Sequence, residues 1–216
     1  MFDGIIRKWF YGEVYGDLDA RHIVIYECAI PRQSALLKIM KFIALLGKSR
    51  VGKDTAAAIL SSTLGFPIVR LSSPIKDACH VLFDIPREHL DSAMKEVVDP
   101  RYGKTPRDLM VWMTAAVRAQ LPVDFFFQRL LSRCPKEAPG IIVPDVRYGP
   151  DLDLFRSRKA LVLKISRVGA PVVHSHEDHI DALECDALLK NDGTLQDFEK
   201  RVRCVAECIK RALESE

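Results

Sequence analysis

The 216-residue chain has no apolar run near the roughly 20 residues that a membrane-spanning helix needs, no internal repeat and no low-complexity segment. It also has little excess charge. Its 32 Lys and Arg against 29 Asp and Glu leave a formal +3, too small to argue by itself for a nucleic-acid partner. The basic residues are spread along the chain rather than blocked into a tail. Six cysteines (Cys28, Cys79, Cys134, Cys185, Cys204, Cys208) contain no CxxC pair and no paired framework. With no signal peptide in view, the expectation is free thiols in a reducing, cytoplasmic setting with no membrane partner. What is left is an ordinary globular composition, 48% hydrophobic and 28% charged, on a length that suits one α/β domain with a sizeable core.

Against that plain background one segment stands out. Gly47-Lys-Ser-Arg-Val-Gly-Lys-Asp-Thr55 follows the apolar run Phe42 to Leu46 and precedes a stretch rich in alanine. Gly47, Gly52 and Lys53 have Walker A spacing, between a buried strand and a helix expected over Thr55 to Leu64. Such a turn leaves backbone N–H groups pointing inward at a helix N-terminus, where they bind phosphate oxygens. Lys53 sits where the loop's lysine reaches the β- and γ-phosphates. The next position, usually a Ser or Thr whose hydroxyl meets Mg²⁺, is Asp54, with Thr55 after it. Lys48 and Arg50 add positive charge inside the loop; they read equally as solvated surface charges.

Downstream, strands and helices alternate. Phe66 to Leu71 reads as a strand, and Ser72-Ser73-Pro74 as a Ser cap with Pro at N1 of a helix whose face is Ile75, Ala78, Cys79, Leu82 and Phe83. Pro86 to Gly103 is polar and without clear periodicity. Thr105, Pro106 and Asp108 make a capping signature for a helix running to about Gln120, with Leu109, Trp112, Met113, Ala116 and Val117 on one face. Asp124 caps another helix, whose Phe125 to Phe127 cluster reads as core. Gly140 to Arg147 reads as a short buried strand ending in a carboxylate, Asp151 to Ser157 as a helix, Ala160 to Ser166 as a strand, and Ala187 to Lys190 as a last short strand. Thr194 caps a C-terminal helix. The alternation argues for an α/β fold, a parallel sheet covered by helices on both faces. Met1 to Ile39 has no long period and reads as an extension of uncertain role before the domain at 40–216, although His22 to Tyr26 suits a strand.

Three further places carry chemistry. Asp145 closes the strand after Pro144, as a Walker B carboxylate does. It suits water-mediated Mg²⁺ binding or uptake of an acceptor proton, and equally a turn or cap. Arg147 would share its side of an extended chain. Lys76 lies in the first turn of a helix, where the dipole offers a cation nothing, so it reads as serving a bound anion or as a solvated lysine. His174, His176, Glu177, Asp178 and His179 offer imidazole and carboxylate without a zinc spacing; metal site, mobile lid and plain surface loop all remain open.

Taken in order, Gly47 to Thr55, Leu71-Ser-Ser-Pro-Ile-Lys-Asp77, Gly103-Lys-Thr-Pro-Arg107, Val143-Pro-Asp-Val-Arg147, His174-Ser-His-Glu177 and Asn191-Asp-Gly-Thr194 resemble the bacteriophage-type deoxynucleoside monophosphate kinases from about Met40 onward. Animal phosphomevalonate kinases are similar in the loop and strand end only, and phage kinases acting on 5-hydroxymethyluracil in DNA are also similar. The resemblance implies a P-loop nucleoside-kinase-like three-layer fold, with ATP on Gly47, Lys48, Ser49, Arg50, Val51, Gly52, Lys53, Asp54 and Thr55, and Asn191 near the adenine. It implies Mg²⁺ held by Asp54, Thr55 and Asp145, and catalytic roles for Lys53, Asp145 and Arg147. Lys76, Arg107 and Arg147 would serve the acceptor, and Arg167 the lid. The implied reaction is phosphorylation of a deoxynucleoside monophosphate in the cytoplasm, the host's if the source is viral. The alternatives are phosphorylation of 5-hydroxymethyluracil within DNA, which would make DNA a partner, and nucleotide binding without catalysis. Related kinases are often dimers, so a homodimer stays open.

Overall fold

The computed structural model describes residues 23–25, 41–169 and 175–214, with side chains described over 41–169 and 179–214. The chain divides into two compact units, Met1–Val69 with Cys134–Glu216, and Arg70–Arg133.

The first unit is built on a sheet. Its strands are β1 (Ile23–Ile25), β2 (Lys41–Leu46), β3 (Gly140–Val143), β4 (Leu161–Ser166) and β5 (Ala187–Lys190). They lie in the order β1-β5-β4-β2-β3. β2 is parallel to both neighbours and β4 to β5, while β1 closes the far edge antiparallel to β5. Part of the segment expected as an extension therefore pairs with the sheet, Ile23 opposite Leu189 and Ile25 opposite Ala187.

Parallel strands need crossovers, and helices supply them on both faces. Along β2, Ile43 and Leu45 face the core formed with α1 (Lys53–Leu64) and α7 (Leu195–Glu214), where Ala56, Leu60, Phe198 and Val202 are buried. The alternate residue Phe42 meets Phe155 of α6 (Gly149–Ser157) on the other face, with ring centroids 5.6 Å apart. The α/β class with helices on both faces of a parallel sheet holds. α7 starts as its sequence indicates: Thr194 Oγ1 accepts from Asp197 N–H at 3.2 Å, and Asp197 Oδ2 accepts from Thr194 N–H at 3.0 Å. The Thr194 hydroxyl, which donates to Asp197 Oδ2 at 2.6 Å, and then the Thr194 N–H hold the Asp197 carboxyl below the usual range.

The Phe66 to Leu71 strand is reduced to a single parallel bridge, Ile68 to Ile142. Pro67 accepts from Ile142 N–H at 3.0 Å and Val69 donates to Ile142 at 2.9 Å, but Pro67 has no N–H to extend the ladder. β3 is held from that side by a close approach as well. A Cβ on Gly140 would lie 2.1 Å from the buried Phe66 ring.

The Arg70–Arg133 unit comprises α2 (Ser73–Phe83), α3 (Arg87–Asp91), a 3-10 turn (Ala93–Glu96), α4 (Pro106–Gln120) and α5 (Phe125–Leu131). The Thr105–Asp108 capping box forms and α4 ends at Gln120. Four expectations shift. Pro74 lies one position beyond N1, and Ser72 makes no side-chain cap bond. Asp124 also makes no cap bond; it accepts from Gln128 Nε2 at 3.1 Å. Pro86 to Gly103 contains regular structure that carboxylate–arginine pairs support, among them Arg87 Nη1 to Asp91 Oδ2 at 2.6 Å. The buried faces are narrower than periodicity implied: Ile75 and Cys79 are buried while Leu82 is 64% exposed, and Leu109 and Met113 are buried while Trp112 is 61% exposed. Phe126 and Phe127 are core, as expected.

The Gly140 contact gives a direct check. Gly140→Ala is expected to destabilise the protein by about 1–3 kcal/mol in urea unfolding, as overpacking does. Phe66→Leu in the same background should recover part of that loss, a coupling that independent sites would not show.

Candidate functional site

The loop between β2 and α1 sits at the C-terminal ends of the parallel strands, the end at which open α/β sheets bind ligands. Its backbone is shaped by three left-handed or otherwise positive φ angles, at Gly47 (144°), Arg50 (62°) and Gly52 (106°). Neither glycine has room for a side chain. A Cβ on Gly47 would lie 2.5 Å from the Ile165 carbonyl of β4, and one on Gly52 would lie 2.8 Å from Asn191 Nδ2 and 3.0 Å from the Phe198 ring. Gly52 also opens α1, accepting from Ala56 N–H at 3.0 Å. The helix thus begins at Lys53, two residues before the expected Thr55.

Lys53 is 8% exposed. Its ammonium donates to the carbonyls of Gly47 at 2.6 Å and Lys48 at 2.5 Å, which places a buried positive charge across the loop. Ser49 and Val51 are buried beside it, and Arg50 is exposed. At the head of α1, Asp54 is exposed and Thr55 half-buried.

Asn191, expected near an adenine, has another task. Its Nδ2 donates to the Val51 carbonyl at 2.9 Å, its own N–H donates to Ser166 at 2.7 Å, and it is 7% exposed. It ties the end of β5 to both the loop and β4.

Beside the loop lies a cavity of about 160 Å³ whose wall includes Gly47, Lys48, Lys164, Arg167, Ile180 and Asp181. Lys48 Nζ lies 2.7 Å from Asp181 Oδ2, and Lys164 Nζ donates to the Asp181 carbonyl at 2.8 Å. Lys164 and Asp181 escaped the sequence reading. The signal was there for Lys164, the one charge inside the apolar run Leu161 to Ile165. Asp181 closes the polar stretch for which a lid was one reading, but only the fold shows that the 3-10 segment Ser175–Ala182 meets the loop.

Asp145 is half-buried in a turn with Pro144 at the end of β3. That turn removes the extended geometry on which a shared side for Asp145 and Arg147 was based. Arg147 accepts through its carbonyl from His179 Nε2 at 2.7 Å. The Tyr148 ring lies 5.9 Å from the His179 ring. His174 lies outside the described residues, as do the side chains of His176, Glu177 and Asp178. Among the described residues no group of three or more His, Cys, Asp or Glu is placed to hold a metal. Burial pushes the nearby Cys185 thiol up, which disfavours the thiolate a metal needs.

In the other unit, Lys76 bonds Asp91, and Arg107 makes two bonds to Glu96 Oε1, at 2.8 Å from Nε and 2.7 Å from Nη2. Burial raises the Asp91 carboxyl, but the hydrogen bond and charge of Lys76 outweigh it and leave the group below its ordinary value. Among the described residues no helix is long and apolar enough to cross a membrane.

No family model matches the chain. A curated protein of Acanthamoeba polyphaga mimivirus, described as "Putative deoxynucleotide monophosphate kinase", is 26% identical over 184 residues, covering 76% of this chain and 94% of that protein. Among solved structures, TT1252 from Thermus thermophilus is 21% identical, covers 78% of this chain and 97% of its own, and superposes with a TM-score of 0.43. A gluconokinase from Sinorhizobium meliloti 1021 is 16% identical, with 82% and 97% covered and a TM-score of 0.38. Superpositions that loose carry no assignment.

The Asn191 clamp is testable by itself. Asn191→Ala leaves the buried Val51 carbonyl without this donor and is expected to cost about 1–3 kcal/mol in thermal or urea unfolding. Asn191→Asp, which keeps the shape but loses the N–H, should cost at least as much.

Proposed function

We propose that the chain is a P-loop kinase that transfers the γ-phosphoryl group of ATP to a deoxynucleoside monophosphate. The observation that carries this reading is the loop itself. Gly47 and Gly52 are packed too closely for any side chain, and Lys53 is buried with its charge drawn across the loop's carbonyls. Backbone N–H groups at the head of α1 and a fixed ammonium are what a triphosphate needs. The name carried by the mimivirus relative supports a deoxynucleotide as acceptor.

The residues act by position and charge, with no covalent nucleophile. The Lys53 ammonium would exchange its loop carbonyls for phosphoryl oxygens and neutralise the charge that gathers there during transfer. Lys48 and Arg167, on the wall of the adjoining cavity, add positive potential at the same end of the sheet. Asp145 would hold a metal-bound water. Arg147 would bind the acceptor's phosphate; within the Arg70–Arg133 unit Lys76 and Arg107 are held by Asp91 and Glu96 and would have to release them to bind any anion.

The residues that would hold Mg²⁺ are Asp54, Thr55 and Asp145, two carboxylates and a hydroxyl, and an all-oxygen donor set fits that hard cation. When bound, the ion neutralises phosphate charge.

Purified protein given γ-labelled ATP and Mg²⁺ is expected to pass label to at least one free deoxynucleoside monophosphate. Lys53→Ala should lower kcat/KM by about 10²-fold or more while leaving the melting curve cooperative. Label entering DNA that contains 5-hydroxymethyluracil, and no free nucleotide, would replace the proposed acceptor. ATP binding with transfer to none of them would end the kinase reading.

A further inference from the structure

Asp181 is a carboxylate at the rim of the phosphate loop with no place in the reaction proposed above. It lies in the 3-10 segment Ser175–Ala182, reaches Lys48 at 2.7 Å, and borders a cavity whose charged wall is otherwise cationic, with Lys48, Lys164 and Arg167. Two lysines engage the same residue by different atoms. Lys164 takes the backbone carbonyl at 2.8 Å and Lys48 takes the side chain. The anchoring of the segment and the neutralising of Lys48 are therefore separate functions of one residue.

We propose that Asp181 is an internal counter-ion that competes with bound phosphate for Lys48 and so sets the affinity of the loop for triphosphates. This rests on the phosphate-loop reading. The chemistry is an exchange of ion pairs: the Lys48 ammonium leaves a carboxylate oxygen for a phosphoryl oxygen. Charge balances, because the released carboxylate is 71% exposed and is hydrated as it is freed. The pair is cheap to break for the same reason. An ion pair with one partner largely in water contributes a fraction of a kcal/mol to about 1 kcal/mol. The competition therefore tunes affinity without abolishing it, and it biases the site toward ligands with enough phosphate charge to win Lys48.

The test uses the full chain and two probes, ATP with Mg²⁺ and inorganic tripolyphosphate, titrated by calorimetry. Asp181→Asn keeps the side-chain shape and the backbone carbonyl that Lys164 holds, and removes only the charge. It is expected to tighten both probes about two- to fivefold. In a Lys48→Met background, Asp181→Asn should change affinity by less than a factor of about 1.5, since the residue it competes for is gone. Unchanged or weaker binding in Asp181→Asn would overturn the inference. So would an equal gain in the Lys48→Met background, which would mean a general field effect rather than competition for that ammonium. Lys53→Ala separates the two levels. If it abolishes binding while Asp181→Asn has no effect, only the counter-ion falls. If it binds ATP as the wild type does, the phosphate-loop reading falls and the counter-ion with it.

Discussion

The close approach of the loop to the strands behind it is the constraint on which the functional end of the molecule depends. Gly47 lies where any Cβ would be 2.5 Å from the Ile165 carbonyl, and Gly52 where one would meet Asn191 and Phe198. The loop is thus pressed between β4, the end of β5 and the first turns of α7. That pressure holds it in backbone angles that L-residues avoid. The register of β2 with β4, Leu46 opposite Lys164, decides which side chains of β4 reach the loop. Lys164 stands beside the cavity because of that pairing, and Ile165 turns its side chain into the core for the same reason.

Two lysines of the loop are restrained. Lys53 is held by two carbonyls and Lys48 by Asp181. In the other unit Lys76 is held by Asp91 and Arg107 by Glu96. A restrained cation loses less side-chain entropy when an anion arrives, but must first give up the partner it has. The two effects oppose each other, and their balance depends on the partner. A carbonyl keeps a lysine oriented without cancelling its charge; a carboxylate cancels it. The two carbonyls on Lys53 therefore leave its charge in place for a ligand, whereas the carboxylate on Lys48 partly neutralises it.

Much of the fold was legible in the sequence. Apolar runs marked β2, β4 and β5 to within a residue and the start of β3, which stops at Val143 instead of running on through Asp145, and the Thr105 and Thr194 caps marked the starts of α4 and α7. The loop between β2 and α1 was legible because its glycines answer a local backbone demand, their positive φ angles. Where the reading failed, the deciding contact was not local. Phe66 to Leu71 has strand composition, yet Pro67 limits it to one bridge at the sheet edge. Trp112 shares a helical face with Leu109 and Met113, but that helix buries a narrower stripe than its pattern offers. Asp145 and Arg147 are two apart, which means a shared side only if the chain is extended, and Pro144 begins a turn there.

Asn191 shows how a motif can be legible in place while one of its tasks is not. Asn-Asp-Gly-Thr ends a strand and begins a capped helix, and both parts are visible in sequence. Nothing local states that the asparagine amide spans 140 positions to the Val51 carbonyl. The bond is buried, so losing it leaves an acceptor with no water to turn to, which costs more than the bond contributes when made. A residue under that demand cannot drift to suit a ligand. The amide is committed to holding the loop, and the end of β5 is fixed with it. The positions of the loop, β4 and the end of β5 are thus coupled through a single residue.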